Sequence, residues 1–186
     1  MIITPPSITM LHSEDDSVNE RKQLLISGYM ISELTEGPNK YRVTINCDHS
    51  FFIKCMKFLI GIVPERFLIL IGEYSKIEQL DGEYKTDDVL NIIDQNEAFL
   101  KDCTNIEMAF DYLDTETAFQ VYISDCKFFE VFTDNLDFLE IFEDQFNIKE
   151  VNDLAILTEF PRTMTAQTST EVKKEIQNIT NTLYLK

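Results

Sequence analysis

Apolar residues recur along this chain with two distinct periods, about two residues for strands and about 3.6 for helices. Tyr41-Arg42-Val43-Thr44-Ile45 alternates cleanly and predicts a strand. Gln23 to Leu34 scatters its apolar residues around a helical wheel, whereas on a strand Leu24, Ile26, Met30 and Leu34 share one face. Thr35-Glu36-Gly37-Pro38-Asn39 reads as a turn between the two segments, so a hairpin is expected. The competing signal is a helix start, because Ser17 and Glu20 have capping-box spacing. Residues 1–16 contain Pro5-Pro6 and the polar run Ser13-Glu14-Asp15-Asp16, and predict an irregular lead-in.

Ser50 is placed to cap a helix from Phe51 to about Val63, with Pro64 just past its end. Only Lys54, Lys57 and Gly61 interrupt its apolar surface, so it is expected to be largely buried. The unbroken run Phe67-Leu68-Ile69-Leu70-Ile71 within Arg66 to Glu73 predicts an interior strand covered on both faces. A helix from about Asp87 to Leu100 follows, capped by Thr86, with Val89, Leu90, Ile92, Ile93 and Leu100 inward. Ile106–Tyr112, Ala118–Ile123 and Phe128–Phe132 predict a three-strand meander with turns at Asp114-Thr115 and Asp125-Cys126. On the middle strand Phe119, Val121 and Ile123 face one way and Gln120, Tyr122 and Ser124 the other.

Thr133 is read as the cap of a helix from Asp134 to about Phe146, which Asn147 stops. Phe138, Leu139, Phe142 and Phe146 mark its apolar face, and Asp137, Glu140, Glu143 and Asp144 its opposite face. A short strand near Leu154–Leu157 would complete the sheet. Pro161 to Ser169 is rich in Thr and Ser and reads as a linker. Thr168 and Glu171 then fit a capping box. Val172, Ile176, Ile179 and Leu183 form a narrow helical seam that fits one groove, on its own domain or on a second copy of the chain. The expected fold is α+β: a mixed or mostly antiparallel sheet with helices on it over residues 1–160, then a linker (161–169) and a C-terminal helix (170–184).

Composition narrows the function classes. Hydrophobic residues make up 44% of the 186, enough for a normal core. No apolar run approaches the roughly 18 residues needed to span a bilayer, and Met1 to Met10 does not read as a signal peptide. A cytoplasmic protein that does not engage membranes is expected. Cys47, Cys55, Cys103 and Cys126 match no zinc spacing and read as reduced core thiols, with no disulfide or metal expected.

The formal charge of −17 is regional. Residues 73–159 hold 23 Asp and Glu against 5 Lys, a net of −18, and the remainder is nearly neutral. Nucleic acid is a poor direct partner for such a surface, because phosphate recognition needs clustered Lys and Arg.

Catalytic signatures are weak. The glycines at 28, 37, 61, 72 and 82 fall in no phosphate-binding or nucleophile-elbow pattern. Cys47-Asp48-His49 places a thiol beside a carboxylate and an imidazole, but reads better as a strand end followed by a helix cap. Glu83-Tyr84-Lys85 has the Glu-x-Lys form of some metal-dependent nucleases, yet it falls in an expected loop beside acidic surface that repels DNA. No catalytic residue, cofactor or metal site is expected.

The remaining feature is the acidic region. Asp111, Asp114, Glu116, Asp125 and Glu130 lie on or between the meander strands, interleaved with Tyr112 and Tyr122, and Asp137, Glu140, Glu143 and Asp144 line the next helix. These eleven residues are the candidate contact set for a basic protein partner, since charge of one sign speeds encounter and excludes wrong partners. In size, acidity and α+β pattern the chain resembles bacterial toxin-immunity proteins, though it carries no motif of any family. That resemblance implies an immunity protein or antitoxin that blocks the basic site of a toxin, for instance a nuclease. Alternatives are a DNA-mimic inhibitor, a secretion chaperone or assembly subunit using the seam to oligomerise, and a small enzyme.

Overall fold

The computed structural model describes residues 4–63, 66–73, 76–113, 118–165 and 169–184. In chain order the elements are β1 (Ile8–Met10), α1 (Asp16–Lys22), β2 (Gly28–Glu33), β3 (Tyr41–Asn46), α2 (Phe52–Gly61) and β4 (Arg66–Glu73). Next come β5 (Lys76–Gln79), β6 (Tyr84–Lys85), α3 (Thr86–Gln95), α4 (Glu97–Asp102), β7 (Ile106–Leu113), β8 (Ala118–Ile123) and β9 (Phe129–Thr133). The last are α5 (Phe138–Phe146), β10 (Arg162–Met164) and α6 (Ser169–Tyr184). The fold is α+β with an antiparallel main sheet of order β2-β3-β9-β8-β7-β4-β5, and β6 also pairs with β4.

Register sorts the sheet into two faces. Val43 pairs with Val131, Val131 with Val121, Val121 with Phe110, and Phe110 with Ile69. All five side chains are buried in the main core with residues of α2, α3, α5 and α6. Phe52 of α2 stacks on Phe129 at 5.0 Å between ring centroids, and Phe119 meets Phe138 of α5 edge-on at 6.4 Å. The helices therefore cover one face, and the alternate residues Asp111, Gln120, Tyr122, Glu130 and Arg42 lie on the other.

A second, smaller core lies on that other side. Ile8, Leu25, Cys126, Phe128, Ala155, Leu157 and Phe160 pack together there beside the small β1-β10 sheet. The lead-in and the linker were thus both expected to be irregular, and each instead contributes a strand. Three-residue strands carry too little alternation to stand out from loops. Thr168 and Pro64 lie outside the described residues.

Several expected boundaries move for local reasons. Asp15, not Ser17, caps the first helix: its carboxylate accepts from the Ser17 N–H at 2.9 Å. That helix ends at Lys22, and the strand predicted from Gln23 begins only at Gly28. Asp48 likewise caps the short 3-10 turn His49–Phe51 that leads into α2. The single helix expected over 87–100 is two, because the Asn96 side chain donates to the Ile92 carbonyl at 2.8 Å and closes α3. Thr133 does not start α5 directly. Its hydroxyl accepts from Asn135 N–H, and the Asn135 side chain accepts from Asp137 N–H at 2.7 Å, so side-chain turns delay the helix to Phe138.

Leu154 to Leu157 is buried but is not a strand. Its backbone finds scattered partners instead: Asn46 Nδ2 donates to the Ala155 carbonyl at 2.6 Å, Ala155 N–H donates to the Leu24 carbonyl at 3.2 Å and Ile156 N–H to Glu159 Oε1 at 2.8 Å, and a 3-10 turn follows at Leu157–Glu159. Strand β4 is buried on one face only, with Leu68 and Leu70 half-buried on the other. The seam of α6 is filled at home: Val172, Ile179 and Leu183 are buried in the main core, with Ile176 half-buried against it. The apolar face that these four residues offered to a second copy of the chain is thus packed against the chain's own core.

Candidate functional site

The acidic residues of 73–159 do not form one surface. Glu107, Asp111 and Glu130 lie on the side of the sheet away from the main core, and α5 packs on the opposite side through Phe138, Leu139, Phe142 and Phe146. Adjacency in sequence therefore does not become adjacency in space.

On the side away from the main core, an open cavity of about 650 Å³ lies between the sheet and the segment that carries β10. The sheet and its turns contribute Glu107, Tyr122, Ser124, Asp125, Phe128 and Glu130. Thr158, Arg162 and Met164 form the facing wall, with Thr104 and Asn105 at one end. Cross-strand geometry assembles the polar part: Tyr122 pairs with Ala109 on β7 and with Glu130 on β9, and the diagonal neighbour of Tyr122 on β7 is Glu107. The Tyr122 hydroxyl donates to Glu107 Oε1 at 2.7 Å. Burial, and then that bond to Glu107, push the Tyr122 phenol well up, so it stays protonated as a donor.

These carboxylates are costly where they stand. Glu107 is 8% exposed and Asp125 7%. Asp125 Oδ1 accepts from the Ser124 hydroxyl at 3.0 Å. Glu130 faces Arg42 at 3.8 Å, and burial raises its carboxyl above the usual range despite that guanidinium. Arg162 Nη1 donates to the carbonyls of Leu157, Thr158 and Phe160 at 3.4, 3.1 and 3.3 Å, which fixes the wall. Its Nε is buried without a partner, as are Arg42 Nε and Thr104 Oγ1.

Asp111 and Tyr112 belong elsewhere. They line a smaller cavity of about 350 Å³ at the other end of the strands, with Leu34, Phe119, Gln120 and Phe132. Asp111 accepts a hydrogen bond from the Gln120 amide, and burial raises its carboxyl against that bond. Asp114 and Glu116 lie outside the described residues, as does the expected Asp114-Thr115 turn.

Helix α5 presents the opposite situation. Asp137, Glu140 and Asp144 are exposed, and between them Ile141 is 60% exposed. Glu143 departs from the expected stripe: it is half-buried and accepts from the Tyr29 hydroxyl at 2.5 Å and from Lys149 at 3.3 Å. Those two bonds hold its carboxyl below the usual range. Glu143 thus ties α5 to β2 and is unavailable to a partner without breaking that tie.

The two motifs with catalytic overtones have structural roles here. A hydrogen bond with Cys55 and complete burial hold the Cys47 thiol neutral. His49 Nε2 lies 3.0 Å from Asp102 Oδ1. Tyr84 and Lys85 form β6 against Arg66 and Phe67 rather than a loop. Among the described residues no three His, Cys, Asp or Glu side chains are placed to hold a metal ion. All four cysteines are buried and free. No helix among the described residues is long and apolar enough to cross a membrane.

Of the expected contact residues Tyr122, Asp125 and Glu130 line this cavity; Thr104, Asn105 and Thr158, in stretches given no element, and Arg162, in the expected linker, were not among them. Comparison with protein-family models, curated proteins and solved structures finds no match to this chain.

Proposed function

We propose that this chain is an acidic, non-catalytic binding protein that docks a basic protein surface through the exposed side of α5. The observation that supports it is Ile141, an apolar side chain left in solvent inside a ring of Asp137, Glu140 and Asp144. An apolar anchor within a charged rim is the usual arrangement of an interface hot spot. Rim carboxylates steer a cationic partner into place, and burial of Ile141 then slows its release. The class of protein that fits best is an immunity protein or antitoxin, whose carboxylates occupy the positions of substrate phosphates in a toxin's basic site. A DNA mimic calls for carboxylates spaced along an extended face, whereas this stripe is confined to one nine-residue helix.

The test uses the partner retained from the native host by the wild-type protein, purified and titrated in turn. Substituting Asp137→Lys, Glu140→Lys and Asp144→Lys together is expected to weaken binding by about a hundredfold, with an unchanged melting temperature. Binding is also expected to weaken with salt, since rim charges are screened beyond about 8 Å at physiological ionic strength. Affinity indifferent to both changes overturns the docking model. A partner whose toxic activity is unaffected by the wild-type protein overturns the immunity assignment while leaving the docking surface in place.

A further inference from the structure

We propose that the cavity between Tyr122 and Arg162 is a binding site for an alkylammonium group, the terminus of an amine on a hydrocarbon stem. It lies on the opposite side of the sheet from α5 and does not rest on the docking proposal.

Four observations support this ligand. Three carboxylates, Glu107, Asp125 and Glu130, line the cavity, and Arg162 is the one cation among its lining residues. Arg162 directs its Nη1 to three backbone carbonyls of its own wall. With Arg42 also facing Glu130 at 3.8 Å, three carboxylates stand against two guanidiniums, so the field inside still favours a cation over an anion. Second, the carboxylates are spread around the cavity and do not converge as metal ligands do. An ammonium, with three donors and no preference for a tight oxygen cage, suits such a spread.

Third, the cavity is amphipathic. Phe128 and Met164 line it beside the carboxylates, so a methylene stem has apolar surface to lie on. Fourth, the site holds polar capacity that the chain does not use. Thr104, 2% exposed, lines the cavity with a hydroxyl that has no hydrogen-bond partner. A buried polar atom without a partner is destabilising, and such atoms in native proteins call for an explanation. Glu130 is a second instance: it is desolvated, and the 3.8 Å approach of Arg42 only partly compensates it. A bound ammonium offers Glu130 a second cation beside Arg42 and offers Thr104 a donor.

The same group occurs on free diamines and on lysine side chains of other proteins. Two probes separate the sources: cadaverine, and lysine blocked as its N-acetyl methylamide. 1-Pentanol, with the same stem and no charge, is the control. Amide and side-chain NMR shifts are followed in the full-length protein. Saturable shifts at Thr104, Tyr122, Asp125, Glu130 and Arg162 are expected with an amine and not with pentanol. Glu130→Gln and, separately, Glu107→Gln are each expected to weaken amine binding by about tenfold, with the wild-type amide spectrum otherwise preserved. Reversing Asp137, Glu140 and Asp144 is expected to leave the dissociation constant unchanged. Tighter binding of blocked lysine assigns the site to a protein side chain, and tighter binding of cadaverine to a free amine. Shifts spread over the acidic surface including α5, equal binding of pentanol, or indifference to both cavity variants overturns the proposal.

Discussion

The cavity beside Tyr122 and the outer side of α5 contain the same side-chain types in opposite physical states. Glu107 and Asp125 are almost wholly buried, and Glu130 is desolvated with its carboxyl pushed up. Asp137, Glu140 and Asp144 stand in water. A buried carboxylate costs several kcal/mol unless it is hydrogen-bonded or paired, so a fold keeps one only where partners or function retain it. An exposed carboxylate costs almost nothing and is free to act at long range. Net charge treats the two groups alike, although one shapes a recess and the other shapes an approach.

Lys127 tests how far burial outweighs charge complementarity. It stands two residues from Asp125, at positive φ in the turn between β8 and β9, 6% exposed, with its ammonium 5.7 Å from the Phe52 ring centroid. Burial pulls its ammonium down from 10.5 to about 8, against the opposing pull of Cys103 and Asp125. Below pH 8 both folded and unfolded chains carry the proton, and the fold bears the whole cost of the buried charge. Between pH 8 and 10.5 the folded lysine is neutral while the unfolded one is still charged, so that cost fades. Lys127→Met is therefore expected to stabilise the protein at pH 7 by about 3 kcal/mol, a gain that disappears by pH 10.5. Denaturant titrations of both proteins across that range check it. A destabilised variant at pH 7 means that contacts to the ammonium outweigh its desolvation.

The next effect lies inside the cavity. Tyr122→Phe removes the donor to Glu107 and leaves a nearly buried carboxylate to find water instead. The expected loss is about 1–2 kcal/mol, read as a lowered denaturant midpoint with an unchanged slope. An equal loss from Glu140→Ala on α5 would erase the distinction between the two regions, since exposed substitutions stay within about 0.5 kcal/mol.

Legibility in the sequence followed burial in the same way. Ala118–Ile123 was readable to the residue because one face in the core imposes a two-residue period, and Arg66–Glu73 because its unbroken apolar run ends in charges, although that run hid which face is buried. Strand β5 went unread because all four of its residues are exposed and no burial pattern marks it. The cavity was half readable. Alternation placed Tyr122 with Gln120 and Ser124, but no periodicity could show that Arg162, forty residues further on, forms the facing wall. Glu143 shows the limit of a helical wheel. Its polar position predicted solvent, and only the fold revealed Tyr29 reaching across to it.

The smallest expected effect probes the stripe itself. Glu140 and Asp144 are four residues apart on α5, and like charges at that spacing destabilise a helix by a few tenths of a kcal/mol. Position along the helix adds a second sign. Asp144 lies in the last turn, where a negative charge opposes the helix dipole, and Asp137 stands at the N-cap, where it favours the dipole. Asp144→Asn is thus expected to stabilise by about 0.3–0.5 kcal/mol, and Asp137→Asn to destabilise by a similar amount. Both effects are expected to shrink in high salt, because both groups are exposed and screened. Asp137 at the N-cap and Glu140 in the first turn suit the dipole, so Asp144 is the one acid of the stripe at the end that the dipole disfavours. Carrying Asp144 at the wrong end, next to a solvent-exposed Ile141, is a small standing cost that a basic partner on this face would remove. If Asp144→Asn proves neutral or destabilising, that cost is absent, and the reason to look for a partner on α5 rests on Ile141 alone.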